Sequence, residues 1–133
     1  VTIEIAKMRL RQDNTIIGAM LLKLGYADGM IAGVSGRFGH HLRQVEEIIG
    51  KAPGVKTMAA MNHLLLPGRA LFICDTHVNE NPSAEEIAEI AQMAAAEVKS
   101  FGIQPKVALL SHSNFGSSAS ASARKMAEAT RLL

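Results

Sequence analysis

Apolar residues recur along this chain at two spacings, and the switches between them mark its elements. Ile87, Ile90, Ala91, Ala94, Val98 and Phe101 fall three and four apart, which predicts one long amphipathic helix over residues 84–101. Ser83 stands where an N-cap is needed, and Glu86 completes a Ser-x-x-Glu capping box. Glu85, Glu86 and Glu89 crowd the electropositive end, Lys99 lies near the other end, and Gly102 is placed to stop the helix. A β-prone run, 70–75, and a polar loop, 76–82, precede it. No other stretch has its start, face and stop so fully specified.

The remaining pattern is read around this unit. Thr2 is placed to cap a first helix over 3–11, interrupted by Gln12, Asp13 and Asn14. Asn14 then caps a second over 15–24, with Ile17, Met20, Leu21 and Leu24 on its apolar face and Gly25 at its end. Residues 29–34 form a short apolar run consistent with a buried strand. Glycines at 33, 36 and 39 give a flexible strand-to-helix connection. Their even spacing is not the G-x-G-x-x-G of a dinucleotide site. A third helix is expected over 38–49, with Phe38, Leu42, Val45 and Ile49 as its stripe. The turn at 51–54 is the best boundary in the chain. Two β-prone runs, 55–66 and 69–75, flank Pro67-Gly68 and read as a hairpin. Residues 106–110 read as another strand, 111–118 as a Ser/Gly-rich loop, and 119–133 as a final helix. Helices alternating with short strands give an α/β class, and the hairpin makes the expected sheet mixed.

Composition narrows the class. With 48% hydrophobic and 20% charged residues, the 133-residue chain has the make-up of a globular protein. A net charge of +2 gives no electrostatic footprint for nucleic acid. No apolar run is long enough for a membrane span, so neither partner is expected. The lone cysteine, Cys74, excludes an internal disulfide and suits a reducing, cytoplasmic setting. Its neighbours Phe72 and Ile73 suggest a buried strand thiol. Val1 in place of Met, and Leu132-Leu133 without a capping signal, suggest a piece of a longer protein.

The best local candidate for chemistry is Ser111-His-Ser-Asn-Phe-Gly-Ser-Ser118, between a strand end and a helix start. Ligands of open α/β sheets collect at such places, where backbone N–H groups and serine hydroxyls favour phosphate or carboxylate. Capping by Ser117, Ser118 or Ser120 explains the same serines equally well. Arg43 is placed to grip an anion bidentately, although pairing with Glu46 or Glu47 is its simpler reading. Arg37, in the glycine loop, stands similarly. His40, His41, His63, His77 and His112 lack zinc-site spacing, and Asp75-Thr-His77 reads more simply as a turn than as a metal ligand set. No metal site is expected.

Several segments resemble the phosphate acetyl/butyryltransferases. They are Ala27-Asp-Gly-Met-Ile-Ala-Gly33, Leu42-Arg43, Phe72-x-x-Asp75-x-x-Val78-Asn79-x-x-Pro82, Phe101-Gly-Ile-x-Pro105 and Val107-Ala-Leu-Leu-Ser111-x-Ser113-x-x-Gly116-Ser117. Gly36-Arg-Phe38, Leu64-Leu-Leu-Pro-Gly68, Asp75-Thr-His-Val-Asn79 and Leu110-Ser-His-Ser-Asn-Phe-Gly116 are most similar to the transferase-like C-terminal domain of hybrid, NADP-dependent malic enzymes.

That resemblance implies an isocitrate/isopropylmalate dehydrogenase-like fold of three-layer α/β/α lobes, here an incomplete domain. Residues 1–54 would belong to the first lobe and 55–133 to the second, with a ligand cleft between them. It implies CoA or phosphate binding by Arg43, Ser111, Ser113, Asn114, Gly116 and Ser117, with Arg37, Asp75 and Asn79 as further cleft candidates. For Asp75 and Asn79, loop hydrogen bonding remains the preferred reading. Gln44 stands where the family has proline, Asn114 where it has threonine, and Phe115 where lysine is frequent. The small-hydroxyl pair that precedes the family's arginine is replaced around Arg37 and Phe38. The transferases' catalytic serine–arginine pair and aspartate fall beyond Leu133, so no catalytic residue is expected here. The malic enzyme region of such a polypeptide would oxidise malate to pyruvate with NADP and Mg or Mn. This domain would serve homo-oligomer assembly and acetyl-CoA sensing.

Overall fold

The computed structural model describes residues 2–133, and the chain divides into two compact units, one ending at Pro53 and the other Gly54–Leu133. The first unit is helical. Its elements are α1 (Ile3–Gln12), α2 (Asn14–Lys23) and α3 (Phe38–Ile48). Thr2 Oγ1 accepts the Ile5 N–H, as expected of an N-cap. The cap of α2 is Asp13 and not Asn14: Asp13 Oδ1 accepts the Thr15 N–H at 2.8 Å. Asn14 itself is already the first helical residue.

Packing turns α2 differently from its expected face. Thr15, Ile16 and Ala19 are its buried residues, while Ile17, Leu21 and Leu24 are exposed. The helix is apolar nearly all round, so periodicity alone left its orientation open. It packs against both α1 and α3. Arg9 of α1 crosses to α3, where its two terminal nitrogens bond Glu47 at 2.6 and 2.8 Å and Gln44 at 2.8 Å. Lys23 Nζ donates to the Ile48 carbonyl near the end of α3.

The second unit contains β1 (Met61–Leu66), β2 (Arg69–Cys74), α4 (Ala84–Ser100) and α5 (Ala121–Arg131). The hairpin is antiparallel, pairing Met61 with Cys74 and Leu66 with Arg69 across Pro67-Gly68. Gly68 has a φ of 74°, a left-handed conformation that suits glycine in this turn. On one hairpin face His63 stacks on Phe72 at 4.3 Å between ring centroids, and Phe101 closes the cluster at 5.6–5.7 Å from each. Helix α4 packs on β2 and on α5. It carries the complete capping box: Ser83 Oγ accepts the Glu86 N–H, and Glu86 returns a carboxylate oxygen to the Ser83 N–H. Ile87, Ala88, Ile90, Ala91 and Val98 are buried, so most of the predicted stripe is the packed one. Phe101 is the C-cap, and Gly102 follows with a φ of 73°. Helix α5 begins two residues later than expected, because Ser120 caps it by accepting the Ala123 N–H.

The α/β class holds, but the sheet is not mixed. Among the described residues it has two strands, both antiparallel. The expected strands at 29–34 and 106–110 are absent as ladder elements, and β1 starts at Met61, not Val55. A strand needs a hydrogen-bonded neighbour, and an apolar run shows only that its side chains suit a sheet. Ile31, Val34 and Leu110 are accordingly left almost fully exposed. In the first of these runs Met30 is the residue that packs, filling the space beside Gly18.

Candidate functional site

The glycine-rich connection in the first unit is shaped by two histidines. His41 Nδ1 lies 2.7 Å from the Thr15 hydroxyl, and Nε2 lies 2.8 Å from the Ser35 carbonyl. A carbonyl only accepts, so Nε2 carries the hydrogen, and in the neutral ring Nδ1 takes the Thr15 proton. His40 Nε2 lies 2.6 Å from Asp13 Oδ2, so one carboxylate both caps α2 and holds this histidine. Burial acts most strongly on Asp13 and alone would raise its pKa. Its bonds to His40 and Thr15 outweigh that and hold it below the usual carboxylate range.

Arg37 is the N-cap of α3 and supplies no side-chain capping bond. Arg43 is exposed, and its Nε donates to the Gly39 carbonyl at 3.3 Å, which turns the side chain back toward the helix start. The expected pairing of Arg43 with Glu46 or Glu47 is corrected. Glu47 bonds Arg9, and Glu46 lies 3.5 Å from Lys51. Arg9, reaching over from α1, makes the tighter two-pronged contact and takes the carboxylate. Among the described residues neither Arg37 nor Arg43 has a carboxylate partner.

In the second unit, loop 111–118 is folded by its own serines. Ser111 Oγ accepts the Ser113 N–H, Ser113 Oγ accepts the Ser118 N–H, and Ser117 Oγ accepts the Asn114 N–H, each at 3.2 Å. The Asn114 carbonyl in turn accepts the Ser117 N–H at 3.1 Å. Each hydroxyl thus accepts from the backbone and keeps its own proton to donate. Phe115 and Gly116 follow in left-handed conformation with φ of 48° and 85°, and among the described residues their N–H groups meet no acceptor. The loop therefore holds hydroxyl and amide donors together without a carboxylate. Capping of the next helix falls to Ser120.

Asp75 and Asn79 form a clasp. Asp75 Oδ1 accepts the Ala60 N–H at 2.9 Å, and Oδ2 accepts the backbone and side-chain N–H of Asn79 at 2.6 and 2.7 Å. Asn79 Nδ2 also donates to the Met58 carbonyl at 2.8 Å. Burial, the largest influence on Asp75, pushes its pKa up, but the combined bonds from Ala60, Asn79 and Val78 bring it below the usual range. These contacts are the loop hydrogen bonding preferred from the sequence. A partner residue went unread: Glu89, on the inner side of α4, accepts the N–H groups of Lys56 and Thr57 at 2.9 and 2.8 Å. The bond from Lys56, followed by that from Thr57, keeps the Glu89 carboxyl ionised below its ordinary value. Two carboxylates and one amide thereby hold 56–60 extended, a task the sequence pattern assigned to a strand partner. The capping-box reading had used up the acidic cluster and masked this role.

Cys74 corrects another expectation, since it is exposed at the open end of the hairpin. Its thiol is nevertheless pushed up, first by partial burial and then by the Asp75 charge. Among the described residues no group of three or more His, Cys, Asp or Glu side chains is placed to hold a metal, and no helix is long and apolar enough to cross a membrane. A shallow depression of about 500 Å³ beside α5 is lined by Arg124, Lys125 and Arg131, but Lys125 bonds Asn81 and Arg131 bonds Glu128.

Residues 1–133 match the family described as phosphate acetyl/butaryl transferase. An NADP-dependent malic enzyme of Haemophilus influenzae is 53% identical over 133 residues, covering 100% of this chain and 18% of that protein. A phosphate acetyltransferase of Nitrosomonas europaea is 38% identical over 121 residues, covering 91% of this chain and 17% of that protein. Among solved structures, the EutD phosphotransacetylase from Staphylococcus aureus superposes with a TM-score of 0.78 at 33% identity, covering 89% of this chain and 36% of its own. The chain spans less than a fifth of the length of the malic enzyme and the phosphate acetyltransferase it matches. The resemblance read from the sequence is borne out: this chain is similar to a segment of malic enzymes and belongs to the phosphate acetyl/butaryl transferase family.

Proposed function

We propose that the chain is a regulatory and assembly region of an NADP-dependent malic enzyme and that it binds an acyl-CoA through its phosphates. The observation that carries this reading is the donor set of loop 111–117. Ser111, Ser113 and Ser117 keep hydroxyl protons, and Phe115 and Gly116 keep N–H groups, in one short loop. Asn114 adds an exposed side-chain amide. Such a set of hydroxyl and amide donors suits an anion. Arg37 and Arg43, with no carboxylate partners, supply cationic donors in the first unit.

Identity of 53% to a malic enzyme against 38% to a phosphate acetyltransferase supports the malic enzyme assignment. The residues here do not fit the oxidoreductase's own cofactors. The glycines lack the dinucleotide spacing, and no metal-ligand cluster is found among the described residues. NADP and the divalent cation are therefore assigned to other parts of the full-length polypeptide, which would carry the oxidation of malate. In that polypeptide this chain would form part of a three-layer, isocitrate dehydrogenase-like domain, a reading supported by the superposition on the staphylococcal enzyme. Exposed Leu64, Leu65, Leu71 and Ile73 on the hairpin support self-association.

The test is malate-dependent NADP reduction by the full-length protein with and without acetyl-CoA. Acetyl-CoA should change the rate, and Arg43→Ala should blunt the response. Absence of both acetyl-CoA binding and a rate change refutes the reading. An alternative is a working phosphate acyltransferase, moving the acetyl group from acetyl phosphate to the CoA thiol with release of phosphate. The complete serine loop favours it. Turnover of acetyl phosphate and CoA that is lost in Arg43→Ala would establish it over the regulatory reading.

A further inference from the structure

We propose that His41 is a positioning residue for anion binding in the first unit, acting by clamping the bend at Ser35–Gly36–Arg37 to the first turn of α2. This inference rests on the acyl-CoA reading above and names the residue that would set one of its arginines. The bend is exposed and lies in no helix or strand, so no backbone ladder fixes it. What fixes it is the imidazole. One ring nitrogen donates to the Ser35 carbonyl at 2.8 Å, and the other takes the hydroxyl of Thr15 at 2.7 Å. Thr15 is only 4% exposed and is itself held by Asp13 through its backbone N–H, so the anchor is rigid.

Gly36 makes this approach possible in two ways. Its φ of 100° lies in the region that side chains disfavour, and a Cβ there would stand 3.2 Å from His41 Nε2. The next residue, Arg37, caps α3 through its carbonyl alone, leaving the guanidinium uncommitted to the helix. The path from a buried threonine through His41 and Ser35 therefore fixes the backbone from which Arg37 projects. Preorganisation of this kind raises affinity by lowering the ordering cost of binding.

The experiment compares wild type, His41→Phe, His41→Gln and Thr15→Val in the full-length protein. It reads acetyl-CoA affinity by calorimetry and amide hydrogen exchange at residues 33–37. Glutamine retains an N–H for the Ser35 carbonyl, whereas phenylalanine keeps ring bulk without either bond. His41→Phe should speed exchange at 33–37 and weaken acetyl-CoA binding about tenfold, the equivalent of one lost hydrogen bond. His41→Gln should restore most of both, and Thr15→Val should give an intermediate loss. Unchanged exchange in His41→Phe, or a glutamine variant no better than phenylalanine, overturns the clamp. Should His41→Phe fail to fold, unchanged exchange in Thr15→Val overturns it instead. Wild-type protein that binds neither acetyl-CoA nor inorganic phosphate overturns the functional reading and the ligand-positioning role with it. The exchange results then still decide separately whether the clamp exists.

Discussion

Removing the Asp75 carboxylate should release residues 58–60 from the loop that follows the hairpin. In Asp75→Ala the backbone N–H groups of Ala60 and Asn79 and Asn79 Nδ2 lose their acceptor at once, and so does the Val78 N–H. A hydrogen bond to a charged group is worth about 1.5–3 kcal/mol, but water reaches this half-buried site and replaces part of each bond. The expected net loss is about 2–3 kcal/mol of local stability, or roughly a 30- to 160-fold larger opening equilibrium constant. Amide hydrogen exchange in the full-length protein reads this locally, without assuming two-state unfolding. The Ala60 and Asn79 amides should lose protection in that range, while the buried middle of α4 keeps its own. Asp75→Asn sharpens the test. Its single oxygen can serve Ala60 or Asn79 but not both, so protection should return on one side only. Exchange at Ala60 and Asn79 within about threefold of wild type in Asp75→Ala would refute the clasp, since even one lost bond predicts more. The pH dependence follows from the lowered Asp75 pKa. Between the folded value and the unfolded value near about 3.9 the unfolded chain binds the extra proton. The stabilisation is therefore complete above the unfolded value and is lost as pH falls through the folded one, so the clasp persists at pH 5.

Two further outcomes are specific. Ser83→Ala removes half of the capping box and should cost about 1 kcal/mol, read as faster exchange in the first turn of α4; no change there would mean that Glu86 alone secures the helix start. Cys74, exposed but with a raised pKa, should react slowly with iodoacetamide at pH 7 and accelerate as pH climbs beyond the usual thiol range. Rapid alkylation at neutral pH would contradict that environment.

The helices were legible because helix formation is local. Ser83, Glu86 and Gly102 lie within a few residues of the bonds they make, so their roles could be read directly. The tight hairpin turn at Pro67-Gly68 was legible for the same reason. The serine loop stood out in the sequence, but which serine caps and which fold the loop depended on geometry that no spacing encodes. Arg43 was misread because its neighbours Glu46 and Glu47 are drawn away by Lys51 and by Arg9 from another helix. The exposure of Cys74 likewise depends on what lies over the hairpin, and an apolar neighbourhood in sequence does not supply a cover.

What the amino-acid order determined by itself is the set of helices, the caps of α1 and α4, the hairpin and the family wording. These rest on intrachain bonds of short range or on direct residue identity. Tertiary structure alone decided which extended runs became strands, which face of α2 was buried, and how Glu89, Asp75 and His41 were used. Each of those depends on a partner outside its own element. Residues 56–60 show the difference most clearly: their composition asks for a strand partner, and the fold answers with two carboxylates and an amide from α4 and the loop after β2. A buried backbone N–H must find an acceptor, but nothing in its own segment says which acceptor will arrive.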